Sequence, residues 1–403
     1  MAVAAPTYEE KTEIQQEITA MVRSFVDNEI LPAAEHFDHE DEFPDAIVEQ
    51  MKELGLFGVT IPEEYGGMGL DLTTYTMIVE ELSRGWISIS GIVNTHFIGS
   101  YLLMKFGSDE QKETFLPKMA TGEIRAAFSL SEPEVGSDVQ GIKASAKKDG
   151  DAWVLDGQKM WVTNGLRSGI VFTLMKTDKN ADPPHRGMTC FITEKTPGEH
   201  KNSGQFEGLE VPPQIKKMGY KGVESTELVY NGYRCPPDRI LGGEEDGLGK
   251  GFSQMMDALE VGRVNVAARG VGIAQRALEL ALRYSQERKT FGKPIAEHQA
   301  IQFKLADMAT KIEAARLVTL KAARMKDAGQ RSDLEAGMAK LLASETGKEV
   351  VEQSFRIHGG YGYSKEYEIE RLYRDAPLLL IGEGTSEIQR MVIGKKLLAR
   401  NKI

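Results

Sequence analysis

Trp153-Val154-Leu155-Asp156-Gly157 is a short aromatic and branched run closed by a turn dipeptide, and its texture decides how the chain is organised. The same texture returns at Gly169 to Lys176, Thr189 to Thr193 and Glu227 to Tyr230. Asp149-Gly150, Asp156-Gly157 and Asn164-Gly165 punctuate it as turns. A β domain, barrel or sandwich, is therefore expected from near Glu123 to about Arg239, with Glu199 to Gly208 as a polar excursion between strands.

On both sides the apolar period changes from strand to helix. Upstream, Thr7-x-x-Glu10 reads as a capping box, followed by Ile14, Ile18, Met21 and Phe25 on one face. Further helices are expected over Pro44 to Gly55, Leu72 to Arg84 and Gly91 to Phe106, and Ser108-x-x-Gln111 opens another. Downstream, Val266, Ile273, Ala277, Leu280 and Tyr284 share a face, as do Ile301, Leu305, Met308, Ile312 and Ala315. Ser332-x-x-Glu335 caps a third long helix. Stripes of this length are bundle core. The chain thus reads as α+β, mostly α: a helical domain at 1–122, a β domain at 123–241 and a four-helix-like bundle at 242–403.

Composition narrows the class. The length of 403 residues fits roughly two to three domains with ample core. A net charge of −11 argues against nucleic acid or an anionic membrane as partner. Cys190 and Cys235 stand far apart and fit a reducing compartment rather than a disulfide framework. No apolar run reads as a membrane span and the glutamate-rich first residues carry no basic leader, so a cytoplasmic address of bacterial type is expected.

The chemistry concentrates at Ile381-Gly382-Glu383-Gly384-Thr385. A carboxylate between two glycines, just before a helix capped by Thr385 or Ser386, has little steric cover. That suits a base which must reach a carbon-bound proton in a tight pocket. Two other motifs are set aside. His36-x-x-His39 mimics a metal-ligand spacing but has no second cluster, and Gly247-x-Gly249-x-Gly251 lacks the strand and the Lys-Ser/Thr of a phosphate loop. The latter reads as a flexible lead into a helix, and Gly270 and Gly272 as close helix packing.

Several further segments occur in a distinctive order. They are Ile61-Pro62-Glu63-Glu64-Tyr65-Gly66-Gly67-Met68-Gly69-Leu70, Ser129-Leu130-Ser131-Glu132-Pro133-Glu134-Val135-Gly136-Ser137-Asp138 and Lys159-Met160-Trp161-Val162-Thr163-Asn164-Gly165. Glu287-Arg288-Lys289-Thr290-Phe291-Gly292, Glu297-His298-Gln299 and His358-Gly359-Gly360-Tyr361-Gly362-Tyr363 follow, ahead of the Glu383 loop. In this order, over nearly the whole chain, they resemble the acyl-CoA dehydrogenase family.

The resemblance implies non-covalent FAD and removal of hydrogen across the α and β carbons of an acyl-CoA. Glu383 would take the α-proton and flavin N5 the β-hydride. The thioester oxygen would accept from a ribityl hydroxyl and from the Glu383 N–H, an oxyanion-hole arrangement. Ser131 and Thr163 would hydrogen-bond the flavin ring with Trp161 against it, and Phe128, Leu130, Gly136, Ser137 and Val162 fall in the same cofactor-facing segments. Arg288, Thr290, Phe291 and Gln299 would hold the diphosphate and adenosine end across a subunit interface. Arg356, Gly359, Gly360, Thr385 and Glu387 fill the remaining cofactor positions. Toward substrate, Glu260 and Arg263, with Leu259, would face the CoA part, and Ser137 the acyl-CoA. Asn94, Ile98, Gly382 and Gly384 would line the site around Glu383. A homotetramer built as a dimer of dimers and an electron-transfer flavoprotein as acceptor are implied as well, with no metal.

Departures from the family pattern are informative. Some members carry the base at the position of Gly262, which cannot serve, so Glu383 is the candidate. Gly382 stands where straight-chain enzymes have tyrosine, which points to a short or branched acyl group. Arg356 replaces a usual glutamine, Val135 a small residue and Phe128 a frequent tyrosine; Lys201 is a phosphate candidate in the polar excursion. An oxygen-using acyl-CoA oxidase and a non-catalytic acyl-CoA-binding scaffold are the competing readings.

Overall fold

The computed structural model describes residues 12–402, and the Thr7–Glu10 capping box lies outside them. The first described helix, α1 (Glu13–Phe25), opens instead on a capping box formed by Thr12 and Gln15. Its buried face is Gln15, Thr19, Val22 and Phe25, while Ile14 is 59% exposed. The apolar pattern placed this face about one residue off because the contact is partly polar. Gln15 Nε2 donates to Thr74 Oγ1 at 3.2 Å, and Thr19 Oγ1 donates to the Gln15 carbonyl at 2.6 Å.

Helices α2 (Leu31–Glu40) and α3 (Asp45–Glu53) follow. Helix α4 (Leu72–Gly85) is capped by Asp71 and, from far along the chain, by Asp327, which accepts from the Leu72 and Thr73 amides. Helix α5 (Ile87–Phe106) is long and apolar enough to cross a membrane, but 89% of its apolar window is buried in the protein, so it is a core helix. Helix α6 (Asp109–Ala120) carries the expected Ser108–Gln111 capping box.

Strands β1 (Ala126–Ser129), β2 (Ser145–Asp149), β3 (Ala152–Thr163), β4 (Ile170–Lys176), β5 (Met188–Glu194), β6 (Leu209–Glu210) and β7 (Ser225–Cys235) form one curled seven-stranded sheet. Its order is β1-β4-β2-β3-β7-β6, with β5 on the other edge of β4. Inside the curl, Trp153, Leu155, Val171 and Phe191 build a separate core. Ala126, Phe172, Leu174 and Ile192 belong instead to the helical core, so the sheet is buried on both faces where it meets α5 and the long C-terminal helix Gly251–Glu287. Continuous burial of the first six residues of β4 follows from that position.

The excursion at 199–208 holds a short helical turn, Gly204–Phe206, and the exposed Lys201 lies 3.5 Å from Glu210.

The C-terminal bundle comprises α7 (Gly243–Gly247), α8 (Gly251–Glu287), the small hairpin β8 (Lys289–Thr290) and β9 (Lys293–Pro294), α9 (Gln299–Asp327) and α10 (Asp333–His358). It ends in α11 (Ile369–Asp375), α12 (Pro377–Ile381) and α13 (Ser386–Arg400). Gly270 and Gly272 do pack closely: a Cβ would stand 2.5 Å from the Ala343 carbonyl oxygen and 2.3 Å from that of Glu80. Ser332 precedes α10 but its side chain does not cap it, since its hydroxyl donates to Glu260 Oε1 at 2.9 Å.

Two anchors join the layers. Asp38, His39 and Glu370 gather as a metal site would, yet Arg374 reaches Asp38 Oδ2 at 2.5 Å and Glu370 Oε1 at 2.8 Å, so an arginine supplies the cation. Asn164, held at φ 61, donates from Nδ2 to the Ile92 carbonyl and to Thr95 Oγ1, both at 2.8 Å. Asn164→Ala loses both bonds and strains the backbone, and is expected to cost about 2–4 kcal/mol, read as a lower urea midpoint.

Candidate active site

Glu383 lies between α12 and α13 with φ 52, and Gly384 follows at φ 92. A left-handed non-glycine residue is costly and persists where its surroundings over-determine it. Here the surroundings are specific. Asn94 on α5 donates from Nδ2 to Glu383 Oε1 at 2.5 Å, while Oε2 is buried without a hydrogen-bond partner among the described residues. Gly262 on α8 makes room for that second oxygen, because a Cβ there would stand 2.3 Å from it. Ile98 closes the same side, its Cδ1 3.2 Å from the same point.

Burial pushes the Glu383 carboxyl above its ordinary value, against the Asn94 hydrogen bond and the pull of Arg269, Lys340 and Arg263. A half-satisfied, buried carboxylate with a raised pKa is the profile of a proton acceptor. Lys340 on α10 is fully buried with no partner for Nζ among the described residues, and burial lowers it to about 8. Arg263 is likewise pushed down by burial, with Nε unpartnered. Glu260, placed toward the CoA part, accepts from Lys326 at 3.3 Å and from Ser332. Leu259 sits beside Glu260 on α8, half-buried.

On the sheet side, the β3–β7 register shifts between Lys159 and Val162, and in this bulge Trp161 adopts φ 63 and stands 56% exposed. Bulges re-aim side chains at functional sites, and this one presents an indole face. The Met160 amide donates to the Ser131 carbonyl at 2.9 Å, which lays the Ser131 loop along the bulge. The fully buried Lys159 donates to Glu132 Oε1 at 2.9 Å and to the Leu130 carbonyl at 3.1 Å. Glu132 also accepts from the Lys143 and Ala144 amides, so this buried pair is hydrogen-bonded throughout. Phe128, Leu130, Ser131 and Thr163 are half-buried there, Val162 is buried, and Gly136 and Ser137 are exposed.

Of the remaining proposed cofactor residues, Arg288, Thr290 and Phe291 follow α8 and Arg356, Gly359 and Gly360 lie at the end of α10, while Gln299 is on α9 and Thr385 and Glu387 begin α13. Arg288 lies 5.8 Å from the Tyr361 ring centroid, Phe291 is 96% exposed at φ 50, and Gly359 and Gly360 are exposed. Thr290 Oγ1 lies 3.3 Å from His298 Nε2, and Gln299 opens α9 on the surface. Arg356 Nε donates to Glu352 Oε1 at 2.7 Å. Thr385 caps α13 through the Ile388 amide, with Glu387 exposed in its first turn.

Sequence reasoning missed Tyr220, Arg269, Lys340 and Gln389. Tyr220 crosses α5 at Gly91, where a Cβ would stand 1.8 Å from its hydroxyl, and that hydroxyl meets Thr163 and Arg269. It therefore links the bulge to the Glu383 pocket. Gly91, taken in the sequence as the start of this helix, lies inside α5 and leaves the space that Tyr220 fills.

Residues 12–123 match the acyl-CoA dehydrogenase N-terminal domain, 127–233 the middle domain and 249–398 the C-terminal domain. The chain belongs to the acyl-CoA dehydrogenase family. It is 40% identical over 393 residues to the mitochondrial short-chain specific acyl-CoA dehydrogenase of Bos taurus, covering 96% of this chain and 91% of that protein. Butyryl-CoA dehydrogenase from Megasphaera elsdenii superposes with a TM-score of 0.91 at 35% identity, over 97% of this chain and 99% of that one. A chain from the structure described as an electron transferring flavoprotein of Acidaminococcus fermentans also gives a TM-score of 0.91 at 35% identity, covering 98% and 100%.

Members of this family are FAD-dependent oxidoreductases. The residues present fit that cofactor. The exposed Trp161 indole with Ser131 and Thr163 beside it offers a face and two hydroxyls to a planar ring, and the exposed Arg288 offers charge to a diphosphate.

Proposed function

We propose that this protein removes hydrogen from the α and β carbons of a short or branched acyl-CoA, giving the trans-2-enoyl-CoA, with Glu383 as the base. The observation that carries this is the unpartnered, buried Glu383 Oε2, held over Gly262 with its pKa raised. FAD, when bound, supplies the hydride acceptor. Ser131, Thr163 and Trp161 would seat its ring, with Phe128, Leu130, Gly136, Ser137 and Val162 along the same edge. Arg288, Thr290, Phe291, Gln299, Arg356, Gly359, Gly360, Thr385 and Glu387 would serve its diphosphate and adenosine end.

Glu383 takes the α-proton, and its own N–H is offered to the thioester oxygen where charge develops. Asn94 fixes one carboxylate oxygen and leaves the other free to work. Leu259, Glu260, Arg263 and Ser137 would meet the CoA part and the thioester, with Ile98, Gly382 and Gly384 around the reacting carbons. Gly382 lacks a ring beside those carbons, which supports a short or branched acyl group.

A protein delivering electrons to an electron-transfer flavoprotein in the cytoplasm fits the unpaired, buried Cys190 and Cys235. A homotetramer fits the apolar residues exposed on the C-terminal helices, among them Leu398 at 76%, Phe303 at 60% and Met391 at 52%. Comparing kcat/KM across straight and branched acyl-CoAs, with the carrier flavoprotein and with oxygen as acceptors, tests the reading. A preference for short or branched thioesters and for the carrier supports it; equal rates across chain types, or faster reoxidation by oxygen, would remove those parts of it.

The charged groups facing Glu383 give a pH prediction. They are Arg263 and Arg269 from α8 and Lys340 from α10, with the Asn94 amide on α5, Tyr75 on α4 and Tyr220 as neutral groups. Activity needs the carboxylate, so the acid limb of kcat should lie above the ordinary glutamate range of about 4.3. Lys340→Met removes a cation that favours the charged form, raises the pKa further and moves that limb to higher pH. A pH–rate profile checks this, and a limb unmoved or displaced downward would contradict it.

A further inference from the structure

We infer that Gln389 is a positioning residue for the base, holding the left-handed Glu383–Gly384 turn from the first turns of α13. The inference rests on Glu383 being the base. Gln389 is fully buried. Its Nε2 donates to the Gly384 carbonyl at 3.2 Å and to the Glu383 carbonyl at 3.4 Å, and its backbone amide donates to the Thr385 carbonyl at 2.9 Å. One residue therefore takes up successive carbonyls of the base-bearing loop. The contact is close: a Cβ at Gly384 would stand 2.7 Å from Gln389 Nε2.

The turn needs such a hold. Glu383 at φ 52 is in a strained region for a side-chain-bearing residue, and relaxation to negative φ would swing both its carboxylate and its N–H. Those are the two groups assigned to the α-proton and the thioester oxygen. The other end of the Gln389 amide meets α10 at Gly337, where a Cβ would stand 3.6 Å from Oε1. Among the described residues Oε1 has no partner, so the side-chain bonds of the amide that the structure describes are those made to the loop. A glutamine spent in this way does nothing for helix propensity that leucine or methionine would not do.

The test compares native holoenzyme, Gln389→Met and Glu383→Gln. Each is measured for bound flavin, melting temperature, kcat, KM and wash-out of α-deuterium from a thioester with sulfur in place of its β-methylene. That probe loses an α-proton but has no β-hydride to give. Gln389→Met keeps volume and removes the donors. It is expected to retain flavin, to lower kcat and wash-out together by on the order of 10²-fold, as a displacement near 1 Å does, and to leave KM within about threefold. Native-like wash-out in Gln389→Met, with none in Glu383→Gln, overturns the positioning role and leaves the base intact. Wash-out persisting in Glu383→Gln overturns the base reading, and this inference with it. Where Gln389→Met yields no flavoprotein, Gln389→Asn, with its amide one methylene short, takes its place. The same kcat-against-KM split is expected of it, and native rates there would equally overturn the role.

Discussion

Glu383→Gln is expected to lower turnover of a saturated acyl-CoA by on the order of 10³–10⁴-fold while binding persists. The amide nearly matches the carboxylate in shape, so it still fits over Gly262, and its backbone N–H is unaltered. What it lacks is the capacity to hold a proton. Removing a carboxylate whose pKa is raised by burial also removes the cost of burying that charge. The variant is therefore expected to fold and keep its flavin at least as well as the native chain. Steady-state kinetics beside a thermal melt separates the two effects. A drop under tenfold with an unchanged melt would mean that another group takes the proton.

Gly262→Ala carries the second large effect. The added methyl would stand 2.3 Å from Glu383 Oε2, well inside contact, and 3.2 Å from Ile98 Cδ1. One of them has to move. Ile98 is 1% exposed in a packed helix, whereas the carboxylate is the end of a flexible side chain. The carboxylate should yield, lengthening its reach to the α-carbon and disturbing the Asn94 bond. A loss of about 10² in kcat is expected from displacement near 1 Å, with an overpacking cost of about 1–3 kcal/mol in stability. Activity within twofold of native would show that the space over Gly262 is not used by the carboxylate.

The sequence made the architecture and the base legible for different reasons. The switch of apolar period near Glu123 and again past Arg239 reports layers directly, because burial of one face sets the spacing. Glu383 stood out as a candidate base through the family resemblance together with its two flanking glycines, which the structure places at a left-handed turn of Glu383 and Gly384.

What stayed hidden depends on partners distant in sequence. Ile14 looked like core and is exposed, since the neighbouring Gln15 found Thr74 across the helix interface. Ser332 looked like a cap and binds Glu260 instead. Lys340 lies on the buried face of α10 among Ala336, Ala339 and Ala343, but a lysine is the residue type least expected to be fully buried there. Gln389 acts backward on its own loop through a bond that only the turn geometry creates. Gly262 was read as a base position left vacant. The structure gives it a positive use, as the space in which the carboxylate rests.

The most direct measurement is an anaerobic titration of the flavin-loaded protein with a series of saturated acyl-CoAs, native chain and Glu383→Gln side by side, followed by flavin absorbance. Bleaching of the native flavin by short or branched thioesters, absent in Glu383→Gln, is the predicted result. Equal bleaching in the variant, or none in the native protein across the series, would contradict the assignment of Glu383 as the base of an α,β-dehydrogenation.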